Sequence, residues 1–203
     1  GSTADLPPPG RVSFHPQRTG ARAGAGAGVV VESAAVPGAT YRFFEGTPTF
    51  PFGFGLSGYT RFVYTNLALN ASKVSACEGL ELTVDVTNAG GMDSDEVVQL
   101  YVETPDATVP APRVRLASFT RVHIRASETA RVQLTLGPDA RVVLSAEGAA
   151  AEGEAIYSAG EQRSIEPGRM LLSVGGGQPQ FFQGAQLAQV EVTDGAFLSS
   201  CRA

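Results

Sequence analysis

The residues that could do chemistry in this chain are few and scattered. Asp93, Asp95 and Glu96 form a short acidic cluster after the Gly90-Gly91 turn. Two such carboxylates could serve as nucleophile and general acid in glycoside cleavage, where retaining chemistry needs them about 5 to 5.5 Å apart. They could also bind calcium, but one short cluster supplies too few oxygen ligands. Between two strands, a solvated loop is the plainer reading. His15 and His123 are the two histidines. His123 sits between Val122 and Ile124 on an extended run, so it should point away from them, toward solvent. Ser57, in Gly55-Leu56-Ser57-Gly58, resembles a nucleophile elbow only loosely, because no strand-turn-helix setting surrounds it. Gly175-Gly176-Gly177 could cradle a phosphate, but no helix follows to aim its amides. No catalytic residue, no metal ligand set and no cofactor is assigned.

Composition narrows the field. The 203 residues carry a formal net charge of -5, and 17% are charged. A nucleic-acid footprint needs clustered Lys and Arg, and none is present. No apolar run approaches the roughly 18 residues of a membrane span. With 24 Gly, 13 Pro, no Trp and many Val-, Leu- and Thr-rich runs, the balance favours strands and turns. A chain of this length can bury roughly 70% of its unfolded surface, so it needs no metal or disulfide to fold. The opening Gly1-Ser2 reads as a cloning remnant, which would make the chain a fragment of a longer one.

The elements follow from periodicity. Residues 1–38 read as irregular, with Leu6-Pro7-Pro8-Pro9 stiff and extended and residues 20–28 a Gly/Ala run suited to a linker. Residues 37–58 interleave Phe with Pro and Gly, which admits no regular element. From residue 59 the period becomes two. A first strand is expected to begin with Phe62, Tyr64 and Leu67, and others over 80–88, 96–102, 129–136, 142–144, 169–174 and 187–192. Residues 113–124 form a strand pair or one bent strand. Seven or more short strands without βαβ alternation predict an all-β fold, an immunoglobulin-like antiparallel β-sandwich with an irregular N-terminal extension. The expected divisions are 1–58 for the extension and 59–203 for the sandwich, with an insert at about 146–160 and a C-terminal extension at about 177–203. The expected core is Val84, Val86, Val98, Leu100, Val102, Phe119, Val122, Val132, Leu134, Leu136, Leu172 and Val174.

Three blocks carry a family resemblance. The first is Pro37-Gly38-Ala39-Thr40-Tyr41-Arg42-Phe43-Phe44-Glu45-Gly46 with Phe50-Pro51-Phe52-Gly53-Phe54-Gly55-Leu56-Ser57. The second runs from Val86-Thr87-Asn88-Ala89-Gly90 through Glu96-Val97-Val98-Gln99-Leu100-Tyr101-Val102, and the third is Leu116-Ala117-Ser118-Phe119-Thr120-Arg121-Val122. In this order they resemble the fibronectin type III-like C-terminal domain of family 3 glycoside hydrolases, most closely the plant-type β-xylosidases and β-glucosidases. Gly58, Ala117-Ser118, the insert and the tail beyond Gly177 depart from that pattern. The resemblance implies a non-catalytic accessory domain of a secreted β-glycosidase, located outside the cell or in the cell wall, whose catalytic residues lie in other domains. It also implies that Tyr41, Phe43, Phe44, Phe50, Phe52 and Phe54 pack against those catalytic domains. Stacking of the rings on glycans remains the other use for them, and in an isolated chain they would drive self-association, so a homodimer also stays open. A free-standing secreted binding or adhesion module is the alternative function.

Two covalent features complete the reading. Asn70-Ala71-Ser72 is a glycosylation sequon, which makes Asn70 a candidate acceptor in a secreted chain. Cys77 and Cys201 can pair, closing a loop of over a hundred residues, worth roughly 4 to 5 kcal/mol in the chain-entropy picture. Alkylation with and without reductant reads the pairing. No labelled thiol in the unreduced protein is the expected result, and two labelled thiols would exclude the bridge.

Overall fold

The structure is a computed structural model that describes residues 40–55, 59–109, 111–146 and 161–201. The expectations for residues 1–38, His15, Ser57, Gly58 and most of the 146–160 insert fall outside these. Two compact units divide the chain, Gly1–Phe50 and Pro51–Ala203. In the first, the Phe43 and Phe44 amides both donate to the Thr40 carbonyl, forming a tight turn. Phe43 is buried, Tyr41 and Phe44 are half-buried, and Phe50 is exposed. The Arg42 guanidinium lies 5.9 Å from the Tyr41 ring centre.

The second unit is built of strands. In chain order they are β1 (Phe62–Leu69), β2 (Lys73–Val74), β3 (Leu80–Asn88), β4 (Ser94–Glu103), β5 (Arg115–Ile124), β6 (Thr129–Leu136), β7 (Val143–Ala146), β8 (Glu161–Ile165), β9 (Gly168–Gly175), β10 (Gln186–Val192) and β11 (Ala196–Phe197). One sheet has the order β1-β3-β6, a second β2-β10-β9-β4-β5, and a small third β11-β8-β7. Every pairing is antiparallel except β2 with β10. Residues 115–124 are thus one strand, whose register against β4 shifts between Leu100 and Tyr101. The tail beyond Gly177 is no mere appendage, since β10 lies inside the five-stranded sheet.

Alternation decides what each strand buries. On β3, Leu80, Leu82, Val84 and Val86 turn inward, opposite Leu136, Leu134, Val132 and Ala130 of β6. From the facing sheet come Val98, Leu100 and Val102 of β4 and Met170, Leu172 and Val174 of β9, all joined in one core. Along β1 the inward set runs Phe62, Tyr64 and then Leu67, a spacing no uninterrupted strand permits. A register shift between Thr65 and Ala68 resolves it, with Asn66 at φ 55°. Asn tolerates the left-handed region better than most residues, and the Asn66 amide donates to Asp85 Oδ2 at 2.9 Å.

Two members of the expected core need correction. Val122 is half-buried at the core's edge. Phe119 is 66% exposed, on the outer face. The reason is parity: Ile124 and Val122 face inward, so Phe119, Arg121 and His123 face outward with no bulge between them.

A buried amide fixes the turn between β3 and β4. Asn88 is fully buried. Its Oδ1 accepts from the Thr60 hydroxyl and, at 3.1 Å, from the Gly90 amide. Its Nδ2 donates to the Met92 carbonyl at 2.8 Å and the Ile124 carbonyl at 3.0 Å. A Cβ on Gly90 would lie 2.0 Å from Thr60 Oγ1, so the turn accepts glycine alone there. At the opposite side of the unit, Cys77 and Cys201 form a disulfide, with Cα atoms 4.9 Å apart, tying the segment before β3 to the 3₁₀ turn Leu198–Cys201. Arg141, itself buried, donates from Nη2 to the carbonyls of Ser75, Ala76 and Glu78 around Cys77.

The core assignment is testable by contrast. Leu100→Ala should lower unfolding free energy by about 2 to 5 kcal/mol. Phe119→Ala should cost less than about 0.5 kcal/mol, as surface changes do. Urea titration of both variants checks the pair.

Candidate functional site

Two features of the second unit collect its unusual side chains: the outer face of the five-stranded sheet, and a groove at one end of the sandwich. The outer face is organised by β4. Gln99 and Tyr101 point outward, yet both are buried. The Tyr101 hydroxyl donates to Gln99 Oε1 at 2.7 Å, and Gln99 Nε2 donates to the carbonyls of Gly53 at 3.1 Å and Gly176 at 3.0 Å. The Pro51–Gly55 segment is thereby held on the sheet. Gly53 has φ +76°, and a Cβ there would lie 2.3 Å from Gln99 Oε1. Only glycine satisfies both conditions. Phe52 and Phe54, on either side, are 44% and 53% exposed. Phe119 lies directly opposite Gln99 across the β4–β5 pairing. Gln99 thus holds the glycine between Phe52 and Phe54 and is the register partner of Phe119.

The groove, of about 630 Å³, lies where the starts of β1 and β4 meet the β9–β10 loop. On its floor the Tyr64 hydroxyl donates to Glu96 Oε1 at 2.6 Å. Burial and the adjacent carboxylate push the Tyr64 phenol far above its ordinary range. Burial also raises Glu96, which the Tyr64 hydrogen bond only partly offsets. Phe182 meets Tyr64 edge-on, with ring centres 5.7 Å apart. The glycines of the 175–177 run make this packing fit. A Cβ on Gly175 would sit 2.8 Å from Phe182, and one on Gly176 would sit 2.5 Å from Glu96 Oε1. The Gln178 carbonyl accepts from the amides of Phe181 and Phe182, which turns Phe182 inward and Phe181 outward.

The acidic cluster does not act as a unit. Asp93 caps the Ala126 amide at 2.9 Å. Asp95 pairs with Arg121 at 2.6 Å and His123 Nδ1 at 2.6 Å on the exposed face, and the His123 bond, followed by Arg121, holds its carboxyl below the usual range. Glu96, next along β4, faces the other way. A solvated loop was expected for all three, but β4 begins at Ser94, and strand alternation sends Asp95 outward and Glu96 into the groove. Asn70 is exposed, and its Oδ1 accepts from the Glu81 amide at 3.0 Å. Among the described residues no group of three or more His, Cys, Asp or Glu could hold a metal ion, and no helix is long and apolar enough to cross a membrane.

Sequence reasoning named Phe52 and Phe54 but missed Phe119, Tyr64 with Glu96, and the Gln178–Phe182 loop. Parity along β5 was the available signal for Phe119. Glu96 shares the parity of Val98 and Leu100, which marks it as inward-facing. Nothing in the tail's local pattern distinguished Phe181 from Phe182.

Residues 96–178 match the fibronectin type III-like domain family. A β-xylosidase of Formosa agariphila is 36% identical over 135 residues, a stretch covering 66% of this chain and 17% of that protein. A β-glucosidase of Rhizobium radiobacter is 43% identical over 91 residues, covering 45% of this chain and 11% of that one. The crystal structure of a Bifidobacterium adolescentis GH3 β-glucosidase superposes with a TM-score of 0.54 at 27% identity, covering 71% of this chain and 18% of that one. The sandwich is a fibronectin type III-like domain. It belongs with the domains of this type in family 3 β-xylosidases and β-glucosidases, and it spans less than a fifth of the length of these three relatives.

The Glu96 environment predicts a pH signature. Its folded-state acidity is weakened, so stability is lost progressively as pH rises from the unfolded value of about 4.3 to the raised folded pKa, the full cost is present above that, and none is present below the unfolded value. Glu96→Gln keeps an acceptor for Tyr64 and removes the charge. Its thermal midpoint should exceed that of the parent chain at pH 8, and the difference should close as pH falls below about 4. Scanning calorimetry across that range reads the sign.

Proposed function

We propose that this chain is a non-catalytic accessory domain of a secreted, retaining β-glycosidase acting on β-xylosides or β-glucosides, and that it supports the enzyme by docking on its catalytic part. The observation that carries the reading is the grouping of Phe52, Phe54 and Phe119 on the outer face of the five-stranded sheet. Their exposures are 44%, 53% and 66%. Exposed rings on one sheet face are the kind of feature that marks interaction sites. The 51–55 segment is held in place by Gln99, so the patch is preformed. Its neighbourhood joins the Phe-Pro-Phe-Gly-Phe-Gly block to the Val-Val-Gln-Leu-Tyr-Val block. The short share of each relative that the chain spans supports a role within a larger protein. The Cys77–Cys201 disulfide supports an oxidising compartment.

The test uses the full reading frame that contains this chain. The Phe52→Ala, Phe54→Ala, Phe119→Ala triple variant should shorten the thermal-inactivation half-life of aryl β-xyloside or β-glucoside hydrolysis at least about tenfold, with KM unchanged. An unchanged half-life, a frame without catalytic domains, or hydrolysis of either substrate by the 203-residue chain alone would overturn the proposal.

A further inference from the structure

Among the described residues Arg141 is the only charged side chain that is buried, at 2% exposure. Its Nη2 grips the carbonyls of Ser75, Ala76 and Glu78. Its Nε and Nη1 are also buried and have no acceptor in the protein. No carboxylate of the described residues forms an ion pair with it. Glu78 and Asp194 act on it through space, but Glu78 Oε2 accepts from the Ser75 amide at 2.8 Å and Asp194 Oδ1 from the Ala76 amide at 2.6 Å. Leaving buried donors without acceptors costs free energy, and a buried charge without a close partner costs more.

A small cleft lies against this side chain. Arg141, Thr104, Asp106, Val143, Glu166 and Val192 are among its lining residues. None of the three residues that Nη2 grips lines it. Its free volume is about 10 Å³, which is roughly what one water molecule needs.

Hydrogen-bond counting selects the occupant. Asp106 is saturated, since each of its oxygens already accepts two bonds from Arg169. Glu166 has capacity to spare. Its Oε1 accepts only from the Thr108 hydroxyl and its Oε2 only from the Thr108 amide, both at 2.7 Å. The Thr104 hydroxyl bonds no protein group. An anion would suit Arg141 but meet two carboxylates, and a metal cation would suit Glu166 but meet the guanidinium. Water accepts on one side and donates on the other, and about two to four polar partners are what holds it inside a protein.

We infer that one internal water occupies this cleft, accepting from Arg141 and donating to Glu166, with the Thr104 hydroxyl as its third partner. It converts an unpaired buried guanidinium into a solvent-mediated ion pair. The pair joins the turn that holds Cys77 to the β4–β5 loop, because Glu166 also fastens Thr108 of that loop. The inference is independent of the docking role and involves none of its residues.

The test is NMR on the 203-residue chain, comparing NOE and ROE transfer from water to the amides of Ala107, Gly168 and Arg169, which line the cleft. A held water gives NOE and ROE cross-peaks of opposite sign, whereas surface hydration and proton exchange give equal signs. At least one of the three amides should show opposite signs, and Glu166→Ala should abolish that signature while keeping the rest of the amide spectrum. Equal signs or no transfer at all three amides would overturn the site, and an unchanged signature in Glu166→Ala would overturn the bridge. Thermal midpoints in sodium chloride and in sodium methanesulfonate at the same ionic strength should agree. A rise specific to chloride would also overturn the inference, since an anion would then be the occupant.

Discussion

Everything distinctive in this molecule depends on where β4 begins, and the buried Asn88 amide determines that. Asn88 satisfies all of its hydrogen-bonding capacity at a single point: Thr60 ahead of β1, Gly90 and Met92 in the turn, and Ile124 at the end of β5. A fully satisfied buried amide is stable only in one geometry, because losing any partner leaves a desolvated group unpaired. The side chain therefore sets the register of three strands together. Had β4 started one residue later, its whole inward row would have moved to the outer face. Glu96 would then have left the groove, and Gln99 would have left the surface that holds the 51–55 segment.

From that register two surfaces follow by alternation alone. The even residues of β4 build the core and, at its beginning, the groove floor. The odd residues build the outer face, where Gln99 and Tyr101 are buried and hydrogen-bonded to each other, and Gln99 also reaches the Gly53 and Gly176 carbonyls. The Phe-rich block and the Val-Val-Gln-Leu-Tyr-Val block are thus one structural feature. The first supplies a glycine that can approach closely at positive φ, and the second supplies the amide that grips it. A pair of blocks that looked like two independent marks of resemblance is a single lock with two halves.

The opposite end of the unit is stabilised by different means. The disulfide and the buried Arg141 both fasten the Cys77 turn, one to the C-terminal 3₁₀ turn and the other through three backbone carbonyls. The groove end has neither. It relies on glycines that let Phe182 and Glu96 come close.

By itself the sequence determined the sandwich. Alternation over residues 80–88 and 129–136 requires two-faced strands, because a period of two places every second side chain on one side whatever the neighbours are. It also determined most of the core and the candidate cysteine pair. Tertiary structure decided the rest, for a physical reason in each case. The Asn66 irregularity reconciled Phe62, Tyr64 and Leu67, since a shift in strand register depends on the partner strand. Phe119 went outward because β5 is read against β4. Glu96 became a groove residue rather than a loop charge because its role depends on Tyr64, thirty-two positions away. Local pattern reports which residues share a face, and only the packing of distant strands decides what that face meets.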